Sequence, residues 1–407
     1  MARLLTLGWR DIWRNRRRSL LTMGAIVFAM LVVALIKSSN DGTYDAMEER
    51  IARQYTGDLQ VYRGGFFEDR ALEQSITEQE LDVSTLRQQN DWITATARRL
   101  DGFGLVSSDL ASAGALITGV DPASELELGS YMTHVSEGIF LADEDHGQAL
   151  LGRVMAQNLS VGVGDSIVVL TQGYHSVMGA EIYVVKGLVG SGSGELDRSA
   201  MILTLPAAQE LLSMPGRYTS LIIQTDNHRR ADHRARSLAL DGYEAKSWRA
   251  IMTDLVQLRN LDNAGNFVIY AFLFLLVGLE IFNTTTMSML ERVREFGVMM
   301  AIGLNPGQIS VLIILQVLMK VLLAVVAGGV LIAVVTGIWS HYPIPLPAEI
   351  QEFNAELGFA VDGVYFSSQP SILLLPVVSV LIMSAVSLIY PVVRVRRLTP
   401  VAALGSN

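Results

Sequence analysis

Four charges fall within five positions at Glu291-Arg292-Val293-Arg294-Glu295, and Phe296-Gly297-Val298-Met299-Met300-Ala301-Ile302-Gly303 follows at once. Acids and bases interleaved in this way do no bond-breaking chemistry. They pair with each other or with neighbouring elements, and they give a charged rim to a contact surface. The apolar run behind them is too short to cross a bilayer. It reads as a helix lying on a membrane surface or seated in a partner's groove. Gly297 is expected to end the preceding rod, and residues 303–307 to turn the chain back. Two further charges, Glu280 and Lys320, lie inside long apolar runs. Each sits ~15 Å from the nearer end of its run at ~1.5 Å per residue. A lone charge there costs at least ~2.5–3.5 kcal/mol, so Glu280 and Lys320 are expected to pair, within one chain or between two.

Other chemistry is excluded or unsupported. With no cysteine there is no disulfide, thiolate metal site or thiol nucleophile. The six histidines, His134, His146, His175, His228, His233 and His341, show no metal-ligand spacing. The glycine-rich stretch of residues 187–194 lacks the Gly-Lys-Ser/Thr ending of a phosphate loop and reads as a turn. Nothing interleaves arginine with aromatics as a nucleic-acid surface would. The reading therefore assigns no catalytic residue, no metal and no nucleic-acid partner.

Apolar residues make up half of the chain and charged residues 17%, below the roughly 25% usual in soluble domains. They collect in four blocks, at residues 20–36, 267–290, 309–338 and 372–390. Each is near or above the ~20 residues that span hydrocarbon. Gly328, Gly329 and Gly337 in the third read either as close-approach sites or as flexible points. The first block follows Arg14-Asn15-Arg16-Arg17-Arg18 and is too long for a cleaved leader core, so an uncleaved signal anchor is expected. Basic residues flank the spans on one side: six before the first, Arg292 and Arg294 between the second and third, and Arg394, Arg396 and Arg397 after the fourth. That side should be cytoplasmic. Residues 38–265 then lie outside, with 18 Lys and Arg against 32 Asp and Glu, a net of −14.

The expected organisation is a cytoplasmic basic helix (residues 1–18), a span (19–37), the outside domain (38–265) and a second span (266–290). A cytoplasmic coupling segment (291–308), a third span (309–338), a short outside loop (339–370), a fourth span (371–390) and a cytoplasmic tail (391–407) complete it. Within the outside domain, β-branched runs predict strands near residues 58–62, 116–120, 166–170, 181–185, 200–203 and 220–224. Helices are expected near 78–89, 153–159, 206–212 and 229–241. Helical extensions of the spans are expected at 45–52 and 248–263. The mixture is α+β. Phe66, Phe67 and Phe103 read either as core or as an exposed lipid-handling surface.

The pattern from Asn283 through Met287, Glu291-Arg292, Arg294-Glu295-Phe296-Gly297, Ala301-Ile302-Gly303 resembles the signature of the FtsX-like permeases, a superfamily that includes MacB and the LolC/LolE lipoprotein-release subunits. The entry helix from Trp9 to Thr22 and the end from Tyr390-Pro391 to Ala403-Leu404 are similar to the same family, as is Ile117-Thr118-Gly119-Val120-Asp121-Pro122. The resemblance implies four transmembrane helices with a large α+β extracytoplasmic domain of the MacB periplasmic core type between helices 1 and 2. It implies a non-catalytic permease of an ABC transporter in a bacterial inner membrane, both termini cytoplasmic. Glu291, Arg292, Arg294, Glu295, Phe296, Gly297, Ala301 and Gly303 would be the ATPase-coupling residues. No cofactor is expected in this chain; two copies of a cytosolic ATPase would hold ATP and Mg. Further implied partners are a second permease chain, identical or paralogous, a periplasmic adaptor or acceptor protein, and the bilayer. Lipoprotein or lipophilic substrate release is the leading expectation. MacB-like efflux or mechanotransmission, and FtsX-like control of a cell-wall hydrolase, stand as alternatives.

Overall fold

The computed structural model describes residues 2–190, 194–238, 240–356 and 362–398. Pro400, Ala403 and Leu404 of the C-terminal pattern, and residues 191–193 of the glycine-rich stretch, lie outside the described residues. The chain forms two compact units: Met1–Tyr44 with Leu258–Ile344 and Gly363–Asn407, and Asp45–Gln257 with Pro345–Asp362. Helices α1 (Ala2–Arg14) and α2 (Arg16–Arg50) open the chain, and a π-helical turn, Ile51–Tyr55, extends α2.

The α+β unit holds strands β1 (Leu59–Arg63), β2 (Ile76–Thr77), β3 (Ile93–Ser107), β4 (Ser112–Val120), β5 (Val135–Gly138) and β6 (Gln148–Gly152). Strands β7 (Ser166–Gln172), β8 (Met178–Val189), β9 (Ala200–Thr204), β10 (Arg217–Tyr218), β11 (Ser220–Thr225) and β12 (Tyr243–Ser247) follow. Its helices are short: α3 (Val83–Gln89), α4 (Pro122–Leu128), α5 (Arg153–Leu159), α6 (Leu205–Leu211) and α7 (Ala231–Ser237). Their starts carry ordinary helix signals. Asp82 accepts from the amides of Ser84 and Thr85 ahead of α3, and Pro122 opens α4 with its fixed φ.

Strand β3 organises this unit. Its first half pairs with β11, from Ser220 opposite Arg99 to Thr225 opposite Ile93. Its second half pairs on the same edge with β7, Leu105 opposite Leu170. The other edge holds β4. From β4 the pairing runs through β9, β6 and β8 back to β7, so six strands close on themselves. The closed ring encloses Val106, Ile117, Leu151, Val169, Val185 and Met201, all 1% exposed or less. Gly104 makes the closure possible: a Cβ there would lie 2.8 Å from both Ile117 Cδ1 and the Leu170 carbonyl oxygen. Beyond β11 the sheet continues through β1 to β12.

The second unit is helical: α1, the first part of α2, α8 (Thr253–Glu291), α9 (Val293–Ala301), α10 (Pro306–His341) and α11 (Ser371–Arg396). Four of these are long and apolar enough to cross a membrane. In their apolar windows only 28–39% of residues are buried, so the apolar remainder needs lipid around it. Their shared core joins Met30 and Val33 of α2, Phe274 and Val277 of α8, Val321 of α10 and Val380 of α11. Of Gly328, Gly329 and Gly337, only the first is a contact point: a Cβ there would lie 3.4 Å from Met30 Sδ, whereas the other two face open space. The predicted rod of residues 248–263 is broken: a single turn, Trp248–Ile251, stops at Met252 (φ −98°, ψ 56°) before α8 begins.

Candidate functional site: the hinge between two apolar helices

Helix α8 ends at Glu291, and Arg292 leaves helical geometry (φ −111°, ψ 11°) before α9 starts. The break therefore comes five residues earlier than the glycine that was expected to make it. Gly297 lies inside α9 and is buried with Phe296 and Met300. The stop is at Gly303, with φ +104°. The amide of Leu304 donates to the Met299 carbonyl and that of Gly303 to the Met300 carbonyl, both at 3.0 Å. This left-handed helix end satisfies carbonyls that would otherwise be open. Asn305 then caps α10 reciprocally with Gln308, and Pro306 sits in its first turn.

Phe296, Met300, Ile309, Ile313 and Val395 form a small core that holds α9. Ion pairs hold its entry. Both oxygens of Glu291 accept from Arg18, each at 2.8 Å. Glu295 accepts from Arg14 at 2.9 Å and from Arg292 at 2.7 Å. The hydrogen bond from Arg18 holds the Glu291 carboxyl below the usual glutamate range, and Arg292 and then Arg14 do the same for Glu295. Pairs this exposed contribute little stability. Their role is directional: they tie the hinge to α1 and α2.

The expected coupling residues therefore divide. Phe296 and Gly297 are inside and fix the helix. Glu291, Arg292 and Glu295 are spent on the clamp. Arg294, Ala301 and Gly303 are exposed, and Arg294 has no ion-pair partner among the described residues. Beside them stand Val298 and Ile302, the latter 77% exposed. Arg294 and Glu295, both exposed, flank these apolar side chains on the helix. Sequence reasoning placed Arg14 and Arg18 in a basic flank and an entry-helix pattern, not against the hinge, and Ile302 only as one member of the apolar run and the signature pattern.

Glu280 and Lys320 occupy different stripes of α8's surroundings. The Glu280 carboxylate accepts from Thr284 Oγ1 at 3.3 Å, and Thr284 in turn receives Thr22 Oγ1 of α2 at 3.3 Å. Lys320 lines a small cavity with Thr285, Ser288, Arg292, Phe296 and Gln316. Residues 280 and 285 differ by about 140° around a helix of 3.6 residues per turn.

In the α+β unit one buried polar cluster went unread. Arg99 donates to both oxygens of Glu125, at 2.7 and 2.9 Å, and to the Tyr55 carbonyl at 2.9 Å. Burial opposes the charge on Arg99, yet the pairing with Glu125 more than offsets it and the guanidinium stays protonated. Tyr55 ends the π-helical turn after α2 and stacks on Tyr131, ring centres 4.9 Å apart. Of the aromatics considered for a lipid-handling surface, Phe66 is buried at 1% exposure and Phe103 is open at 68%.

The periplasmic region of MacB from Actinobacillus actinomycetemcomitans is similar in structure, with 14% identity, 52% of this chain and 97% of that one covered, and a TM-score of 0.35. The extracellular domain of the ABC-type transporter YknZ from Gram-positive bacteria gives 14%, 46%, 99% and 0.33. In sequence, the lipoprotein-releasing system transmembrane protein LolC of Xylella fastidiosa, strains 9a5c and Temecula1, is 23% identical over 269 residues. That region is 63% of this chain and 64% of the relatives, just under two thirds of their length. Residues 19–237 match the MacB-like periplasmic core domain, and residues 267–400 match the FtsX-like permease C-terminal domain. An apolar helical unit with an α+β core of this kind defines a membrane permease subunit of the ABC transporter class. The chain belongs to the MacB/FtsX/LolC-type permease family.

Proposed function

We propose that this chain transmits ATP hydrolysis by a separate cytosolic ATPase to the outer side of a bacterial inner membrane, with both of its own termini cytoplasmic. The observation that carries the reading is the hinge. Helix α9 is clamped by Arg18–Glu291 and Arg14–Glu295, and it presents Val298, Ala301 and Ile302 outward. An ATPase groove that took this face would move the clamp, and α1 and α2 with it. Helix α2 runs on into the turn whose last carbonyl is held by Arg99, which supports mechanical transmission. ATP and Mg belong to the partner, present in two copies beneath a pair of permease chains. The −14 net charge of residues 38–265 and the basic flanks support placing the α+β unit outside. Release of a lipoprotein or another lipophilic substrate is the preferred task, from the LolC likeness.

Copurification in mild detergent tests this. An ATPase should accompany the wild-type chain and be lost when Glu291 and Arg294 are both changed to Ala. A diacylated or triacylated polypeptide in the same sample supports lipoprotein release. Absence of any ATPase under all conditions sinks the reading.

A further inference from the structure

The outer face of the strand ring breaks the usual rule for a solvated sheet, polar outside and apolar inside. Along β7, exposed and buried residues alternate without exception, and the exposed set is Ser166, Val168, Leu170 and Gln172. On β8 the matching positions are Met178, Ala180, Ile182 and Val184, all exposed. Register places Leu105, Leu170 and Ala180 in one row, and Ser107, Val168 and Ile182 in the next. Phe103 continues the face on β3, 68% exposed. None of these alternating positions carries a charge; Glu181, also exposed on β8, pairs with the inward Val169 and so lies on the opposite side of the strand.

Phe103, Leu105, Val168, Leu170, Ile182 and Val184 together expose on the order of 500 Å² of apolar surface, near the upper end of ~300–600 Å² for a monomer's largest patch. That is well over half of the ~800 Å² that one partner contributes to a stable interface. The face is a sheet surface over a filled core. The one sizeable cavity among those described, about 430 Å³, is lined by Arg98, Asp121 and Asp143 and lies elsewhere. Residues 38–265 are strongly acidic, so two copies repel unless they meet where charge is absent. This face meets that condition.

We propose that the β3–β7–β8 face is the contact between the α+β units of two identical copies, sheet face on sheet face. The proposal rests on the permease-pair reading and specifies a homodimer.

The cysteine-free chain permits a direct test in native membranes. Leu170→Cys and, separately, Ile182→Cys are treated with a short bismaleimide; Gln89→Cys, exposed on α3, is the control. A band of doubled mass with the first two and not the third is expected. Adding Leu170→Asp to Ile182→Cys should reduce that band at least tenfold, because the charge would be buried. Two results overturn the proposal. Fast labelling of Leu170→Cys by a monofunctional maleimide without doubling means an open face. Slow labelling without doubling means lipid or a different protein covers it. ATPase copurification, scored in the same membranes, reports on the permease reading separately.

Discussion

Arg99 and Glu125 form a two-contact ion pair with both side chains out of solvent, and the same guanidinium grips the last carbonyl of the turn that ends helix α2. Removing one partner leaves the other charge buried and uncompensated, which costs about 3–5 kcal/mol. Arg99→Met and Glu125→Gln should therefore each lower the unfolding midpoint of the purified protein sharply. Arg99→Met with Glu125→Leu should be milder than either single change. Additive single losses would mean that the two charges do not act on each other.

The hinge helix separates packing from docking. Phe296→Ala deletes a buried ring and should destabilise by about 3–5 kcal/mol, read as a lower unfolding midpoint. Ile302→Glu should leave the midpoint unchanged. It should weaken ATPase capture at least tenfold, which corresponds to ~1.4 kcal/mol of binding. Loss of both properties in both variants would show that α9 does not divide into an inner and an outer face.

The clamp has a defined pH window. The Glu291 and Glu295 carboxyls are held low in the folded protein by their arginine partners. Such a group contributes above its unfolded value, about 4.3, and the contribution is lost as pH falls through the folded value. Isotope-edited infrared spectra should show both carboxylates still ionised at the pH where a free glutamate is half protonated. Between pH 7 and 5 the clamp should not change. Glu291→Gln should remove its part at every pH.

For Glu280 and Lys320, the expectation stays a pair, within one chain or between two copies. Glu280→Lys should cut the yield of assembled protein in membranes, and adding Lys320→Glu should restore it. Equal loss in the single and the double variant would end the pairing idea.

Much of this fold was legible because local composition decided it. Residues 166–170 were readable as a strand because Ile167-Val168-Val169-Leu170 are β-formers. Helix α5 begins and ends where expected, at Arg153–Leu159. Strand β3 was missed because Arg98-Arg99-Leu100-Asp101-Gly102 looks like a loop. Arg99 can be buried there because Glu125, 26 residues on, meets it. The hinge was visible as a charge cluster, but its partner Arg18 lies 273 residues from Glu291. No local pattern reports a contact at that separation. Gly297 was misjudged because a glycine that looks like a helix stop is tolerated inside a helix, and here it is buried within α9.

Strand β3 has a consequence for how the protein is made. One of its edges is completed by β7 and by β11, whose residues are translated roughly 60 to 130 positions later, and β1 waits for both β11 and β12. As synthesis proceeds, early strands leave the ribosome with their edges open, and such edges recruit wrong partners. The long sequence separation of the correct partners makes their closure slow. Chain cut anywhere between β1 and β12 should therefore yield no folded half, and intermediates made before residue 247 would be natural clients of holding chaperones.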